Sequence, residues 1–272
     1  MKQTLQRIEN IKKNGFYFSF GELIEQSFAN YKKIALIQGL VLLVIIIIFT
    51  VVVGSIAGLA LGIGTITEYF TDIDVNKVSS IALIVNFAVT VIASGIGAPF
   101  TAGLLKMAHE AEENRTVEFS TVFEYYKTTY FKDLFLTGIL ISAFTAGFGT
   151  IISLLTKEYS TGAIYYGISS ISAIINIIVP IVTIFAIPLI VFGNLSATAA
   201  IQASISVAKT KFWTILFLLL VSIVFTFLGI FAFCIGIFFT IPLVYSAMYI
   251  MYRTAFGIEE KSEMDDIGNT VL

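Results

Sequence analysis

The chain has 272 residues, 57% of them hydrophobic and 12% charged, with a formal net charge of −2 and a mean hydropathy of +0.94. A typical soluble domain carries about 25% charged residues, and no soluble interior hides this much apolar surface, so the composition excludes an ordinary soluble fold. Near-neutral charge with no basic cluster among aromatics speaks against a nucleic-acid partner, and a lone cysteine, Cys234, supplies neither a disulfide framework nor a thiolate metal site.

Residues 1–33 are mostly polar and no short apolar run precedes them, so no cleaved signal is expected. Uncharged stretches follow at Ile34–Thr67, Val78–Leu105, Leu134–Thr156, Tyr159–Ala208 and Phe212–Tyr252. One crossing takes about 20 apolar residues. The last stretch has room for two, with Gly229 and Gly236 bracketing a reversal around Phe233 and Cys234. Tyr159–Ala208 becomes Ser- and Ala-rich after Asn194 and is read as one. The expectation is an all-α polytopic membrane bundle of about six transmembrane helices, forming a single domain over residues 1–272 with an acidic tail at 258–272.

Lys and Arg number six in residues 1–33, four in 106–133, two in 193–211 and two in 253–272, against only Lys77 and Lys157 on the other side. Orientation follows Lys and Arg rather than net charge, which predicts cytoplasmic termini.

Three segments ahead of spans one, three and five share a pattern: Ser19–Lys33, Glu118–Lys132 and Ser196–Thr210. Leu23, Ile24, Ser27 and Tyr31 match Val122, Phe123, Tyr126 and Tyr130, then Ala200, Ile201, Ser204 and Ala208. Positions i, i+1, i+4 and i+8 share a helical face, leaving Glu22, Glu25, Asn30 and Lys33 pointing elsewhere. Each segment reads as a short amphipathic helix on the inner leaflet. Pro99, Pro188 and Pro242 each lie before a cytoplasmic end, predicting three kinks at matching places. The result is three degenerate repeats, roughly 19–115, 118–194 and 196–257, each an interfacial helix plus a transmembrane hairpin.

Lipid tails are as apolar as leucine, so small residues must let the helix backbones approach. Gly54, Gly58 and Gly62 form one such row, Ala93, Gly97 and Thr101 a second, and Gly138, Ser142, Ala146 and Thr150 a third. They read as packing faces, with a partner-binding seam as the alternative for the Gly54 row.

No Asp, Glu, Lys, Arg or His lies mid-membrane, where such groups usually mark ion paths or substrate sites. Gln38, Asn86, Asn176 and scattered hydroxyls remain. His109 stands beside Glu110, Glu112 and Glu113, too few ligands of fixed spacing for a metal site. The triplets Asn114-Arg115-Thr116 and Asn194-Leu195-Ser196 fall on the cytoplasmic side, where the glycosylation motif has no meaning. Trp213 suits an interfacial anchor. No nucleophile and base, glycine-rich loop or paired carboxylates are recognisable, so no catalytic residue and no cofactor is expected.

Ile187-Pro188-Leu189, Ser196, Ala200-Ile201, Ser204, Ala208-Lys209 and Phe212-Trp213, then Gly236, Ile241-Pro242-Leu243, Tyr249 and Tyr252, carry a resemblance. The chain is similar over about residues 185–257 to a loose bacterial superfamily. Its members include YciC-like inner-membrane proteins and the membrane domain of some glycerophosphodiester phosphodiesterases. Where members often carry an acidic residue, Phe192-Gly193-Asn194 stands here. The resemblance implies a fold and the bacterial inner membrane, with no catalytic residue carried over, since the hydrolase activity belongs to a separate soluble domain. The favoured reading is a non-enzymatic subunit or scaffold binding other integral membrane proteins. The alternative is passage or handling of lipid or another apolar solute, which a cavity lined by Asn86, Asn176 and hydroxyls would favour.

Overall fold

A computed structural model describes residues 2–15, 19–61, 80–156, 162–231 and 235–258. Among them the fold is all-helical, without strands. The elements are α1 (Lys2–Asn14), α2 (Phe20–Leu61), α3 (Ser80–Glu112), a 3-10 helix (Phe119–Tyr126), α4 (Phe131–Thr156), α5 (Ala163–Val182), α6 (Ala186–Val191), α7 (Ala197–Ala208), α8 (Phe212–Leu228), α9 (Gly236–Thr240) and α10 (Pro242–Phe256).

Among the described residues five helical stretches are long and apolar enough to cross a membrane: Phe20–Val52, Ser80–Glu112, Phe131–Leu155, Tyr166–Val191 and Ala197–Phe231. The sixth stretch of the sequence reading arrives in two pieces, α9 and α10, neither of that length. Pro242 has no N–H for the preceding turn, so the helix stops at Ile241 and restarts at the proline. The expected reversal at Phe233 and Cys234 lies outside the described residues, as do Gly62 and 71–77.

The expected interfacial helices take three different forms. Nothing between Phe20 and Leu61 breaks the first, so it merges into a 42-residue α2. The second, rich in aromatic and β-branched residues, winds as a 3-10 helix. With three residues per turn its inward positions become Val122 and Tyr125, while Phe123 is exposed. Only α7 is a separate short helix, and its inner face of Ala200, Ala203, Ser204 and Val207 is buried in protein.

The prolines also part company. Pro99 lies inside α3 without ending it. Before Pro188 the chain breaks at 183–185, and Ser204 bridges the gap: its hydroxyl donates to the Val182 carbonyl at 2.8 Å and accepts the Phe185 N–H at 3.0 Å. Near Pro242, the Tyr31 hydroxyl donates to the Phe239 carbonyl at 3.0 Å.

Antiparallel contacts between α2 and α3, α3 and α4, and α2 and α10 bring all described Lys and Arg residues to one end of the bundle, the basic end. The core lies there. Leu23, Ile34, Ala102, Leu105, Leu134, Phe185, Leu189, Ala200, Tyr249 and Tyr252 are fully or nearly fully buried in one apolar cluster. Helix α1 closes it with Thr4, Ile8 and Ile11, a stripe at i, i+4 and i+7 on a segment read from sequence only as polar.

Candidate functional site

Two polar regions stand out, one at each end of α3. At the basic end, α2 donates a row of side-chain hydrogen bonds to the carbonyls of α3: Gln38 to Leu104 at 2.7 Å, Asn30 to Ala108 at 2.7 Å and Lys33 to Ala111 at 3.1 Å. Asn30, read from sequence as facing away, is buried, because its carbonyl oxygen also accepts the Ser246 hydroxyl at 3.0 Å. Tyr249 donates its one proton to Glu112, so His109 Nδ1 donates to the phenol oxygen at 3.0 Å. Arg253 pairs with Glu112 and reaches Gln26. His109 Nε2 faces Glu113 at 3.3 Å, and the ring of Phe192 packs on both His109 and Tyr249. Most groups in this set have a protein partner, as a structural network requires; the buried Gln38 Oε1 has none among the described residues.

The 3-10 helix is clamped onto α3. A Cβ at Gly103 would fall 2.3 Å from the Val122 carbonyl oxygen, so only glycine lets the two backbones meet. Around that contact Lys106 pairs with Glu124 and Thr121 donates to Glu110 at 3.2 Å. Burial, aided by the neighbouring Glu124 carboxylate, holds the Tyr125 phenol well above its ordinary pKa.

Helices α3, α6 and α10 are each followed by a left-handed residue: Asn114 at φ 54°, Asn194 at φ 52° and Gly257 at φ 66°. Asparagine and glycine are the residues that tolerate this conformation, so the two glycosylation-like triplets are helix stops. Their side chains are engaged, Asn114 by Lys33 and Asn194 by Tyr130.

The small-residue rows behave unequally. A Cβ at Gly138 would lie 2.3 Å from the Ser94 carbonyl oxygen, placing that glycine on the tightest part of the α3–α4 contact, opposite Gly95. Ser142 is buried one turn on, its hydroxyl turned back to the Gly138 carbonyl at 2.6 Å. Gly95 went unnoticed in the sequence because the row through Gly97 was followed instead. At Gly97 and Gly54 an added Cβ meets no described atom within 4 Å. The surroundings of Gly58 and all of Gly62 lie outside what the structure describes.

Continuing the Gly138 row, Ala146 and Thr150 leave the seam. At Gly147 the neighbour on α3 is no longer backbone but the Phe87 ring, 3.4 Å from an added Cβ. The row then borders a cleft of about 480 Å³ among α3, α4 and α5, whose polar lining is Asn86, Thr90, Thr150, Ser153, Ser169, Ser172 and Asn176. Leu83, Ala146, Ile152 and Ala173 supply apolar wall. Its volume falls within the range of small-molecule sites, about 300–1,000 Å³. A second cleft of about 420 Å³, nearer the basic end, is apolar and lined by Leu140, Phe144, Val179, Val182, Ile201 and Ile205 from α4, α5 and α7. Trp213 stands exposed at the start of α8. Among the described residues no group of His, Cys, Asp and Glu is placed to hold a metal ion.

No protein-family model, no curated protein and no solved structure matches this chain.

Proposed function

We propose that the chain is a non-enzymatic, multi-pass protein of the bacterial inner membrane that holds a lipid or similar amphiphile in the cleft among α3, α4 and α5. The observation that supports this is the cleft itself, where amides and hydroxyls gather on helices otherwise fit for hydrocarbon. Lipid tails cannot hydrogen-bond those groups, whereas an amphiphile offers a polar head to them and an apolar body to Leu83 and Ala173. In this reading the basic end is cytoplasmic, α9 and α10 together make a sixth crossing, and the cleft opens in the outer half of the bilayer.

The test is a lipid with a photoreactive acyl chain, reconstituted with the full chain in nanodiscs. Labelling should concentrate on the segments 83–90, 146–153 and 169–176. Labels spread evenly over every lipid-facing helix would overturn the reading. The scaffold alternative is supported by Gly54 and Gly97, whose open surroundings leave room for a partner helix to approach. It predicts that Gly54→Ile or Gly97→Ile removes a co-purifying membrane protein without changing stability.

A further inference from the structure

The cleft gathers several hydroxyls that do not turn back onto their own helix. Outside it Thr137 is likewise buried without a partner among the described residues, but many Ser and Thr do turn back: Ser142 to Gly138, Thr145 to Ile141, Thr183 to Val179, Ser222 to Leu218 and Thr226 to Ser222, all within 2.6–3.1 Å. That habit satisfies a hydroxyl with no outside partner. In the cleft Thr90, Thr150, Ser169 and Ser172, together with the Asn86 amide, make no side-chain hydrogen bond among the described residues. Ser153 and Asn176 bond to their own helix through the donor only, to the Gly149 carbonyl at 3.0 Å and the Ser172 carbonyl at 2.9 Å, so their oxygens stay available. Among the described residues the lining therefore presents several unpaired donors beside several unpaired acceptors, and none is charged.

Charge is absent from the walls as well as the lining. From Ser80 to Leu105, Leu134 to Thr156 and Ala163 to Val182 there is no Asp, Glu, Lys, Arg or His. Among the described residues a phosphate or ammonium head would find no counter-charge in the cleft, which disfavours it there. The amide end of α5 does not replace one. Its effect fades within the first turn, while the lining on α5 begins only at Ser169. A head group that alternates donors and acceptors without charge meets both conditions.

Resting on the function proposed above, we propose that the cleft selects a lipid whose head group is uncharged and rich in hydroxyls, a sugar or glycerol, over a phospholipid. The full chain in phosphatidylcholine nanodiscs is offered photoreactive monoglucosyl diacylglycerol or photoreactive phosphatidylglycerol with the same acyl chains. The glucosyl lipid should label the cleft at least about fivefold more strongly. Thr90→Val and Ser172→Ala, which remove a hydroxyl with little change of shape, should each lower that labelling about three- to tenfold, the worth of one hydrogen bond. Phosphatidylglycerol labelling equally or better would overturn the head-group selectivity and leave the lipid-binding reading standing. Labelling of the cleft by neither lipid would overturn both. Loss of the signal to millimolar free glucose would show that the sugar alone is the ligand, which also overturns the proposal.

Discussion

Helix α3 is governed by opposite rules at its two ends. Near the basic end, Gly103 presses on the Val122 backbone, and the Leu104, Ala108 and Ala111 carbonyls each take a second hydrogen bond from α2. Toward the other end, Asn86 and Thr90 face a cleft and have no side-chain hydrogen bond among the described residues. The same contrast runs along α4, where the row that begins in backbone contact at Gly138 ends on the cleft at Thr150. Close packing and open space are thus divided along the helices. Dense packing at one end fixes the relative positions of three helices whose opposite ends are left far enough apart to hold something else.

If that division is right, substitutions should sort by end rather than by residue type. The largest effect is expected at Gly138 and Gly103. Leu at either position must displace backbone, costing about 3 kcal/mol or more, the upper range for overpacking. Loss of a cooperative thermal transition in detergent would register it, and a normal transition would mean the seam is loose. Asn30→Ala removes a buried amide that ties α2 to α3 and α10. It should cost about 1 kcal/mol, in line with interhelical polar contacts in membranes. Its partner test is Asn86→Leu, which should leave thermal stability unchanged or raised while lipid labelling of the cleft falls. Equal destabilisation by the two asparagine variants would erase the contrast. The smallest effect is expected at Gly54. Gly54→Ile should alter stability by less than about 0.5 kcal/mol, since no described residue stands opposite it.

Much of the helical pattern was legible because apolar run length and the placement of Lys and Arg depend on the solvent, and a bilayer imposes one rule on every span. Asn86, Asn176 and the Thr150 row were also visible as polar or small residues in apolar sequence. What sequence could not convey was which of two faces a small residue occupies. Gly95 and Gly97 are two apart, some 200° around the helix, and one faces α4 while the other faces open space. The stripe at 122–126 was placed with helical period, and a 3-10 winding moves the inward positions. Asn30 seemed a surface residue because its partners, Ala108 and Ser246, lie far along the chain. Thr4, Ile8 and Ile11 were missed because three spaced contacts do not outweigh the polar residues around them.

The length of α2 has a mechanical meaning. At about 1.5 Å per residue its 42 residues extend about 63 Å, twice the hydrocarbon thickness of about 30 Å. Its midpoint is close to Gly39, where an added Cβ would lie 2.4 Å from the Phe239 ring. On the basic side of that contact Asn30, Lys33 and Gln38 tie α2 to α3. The tilt of so long a helix is set by its packing against neighbours, so this half fixes the direction in which the far half enters the apolar layer.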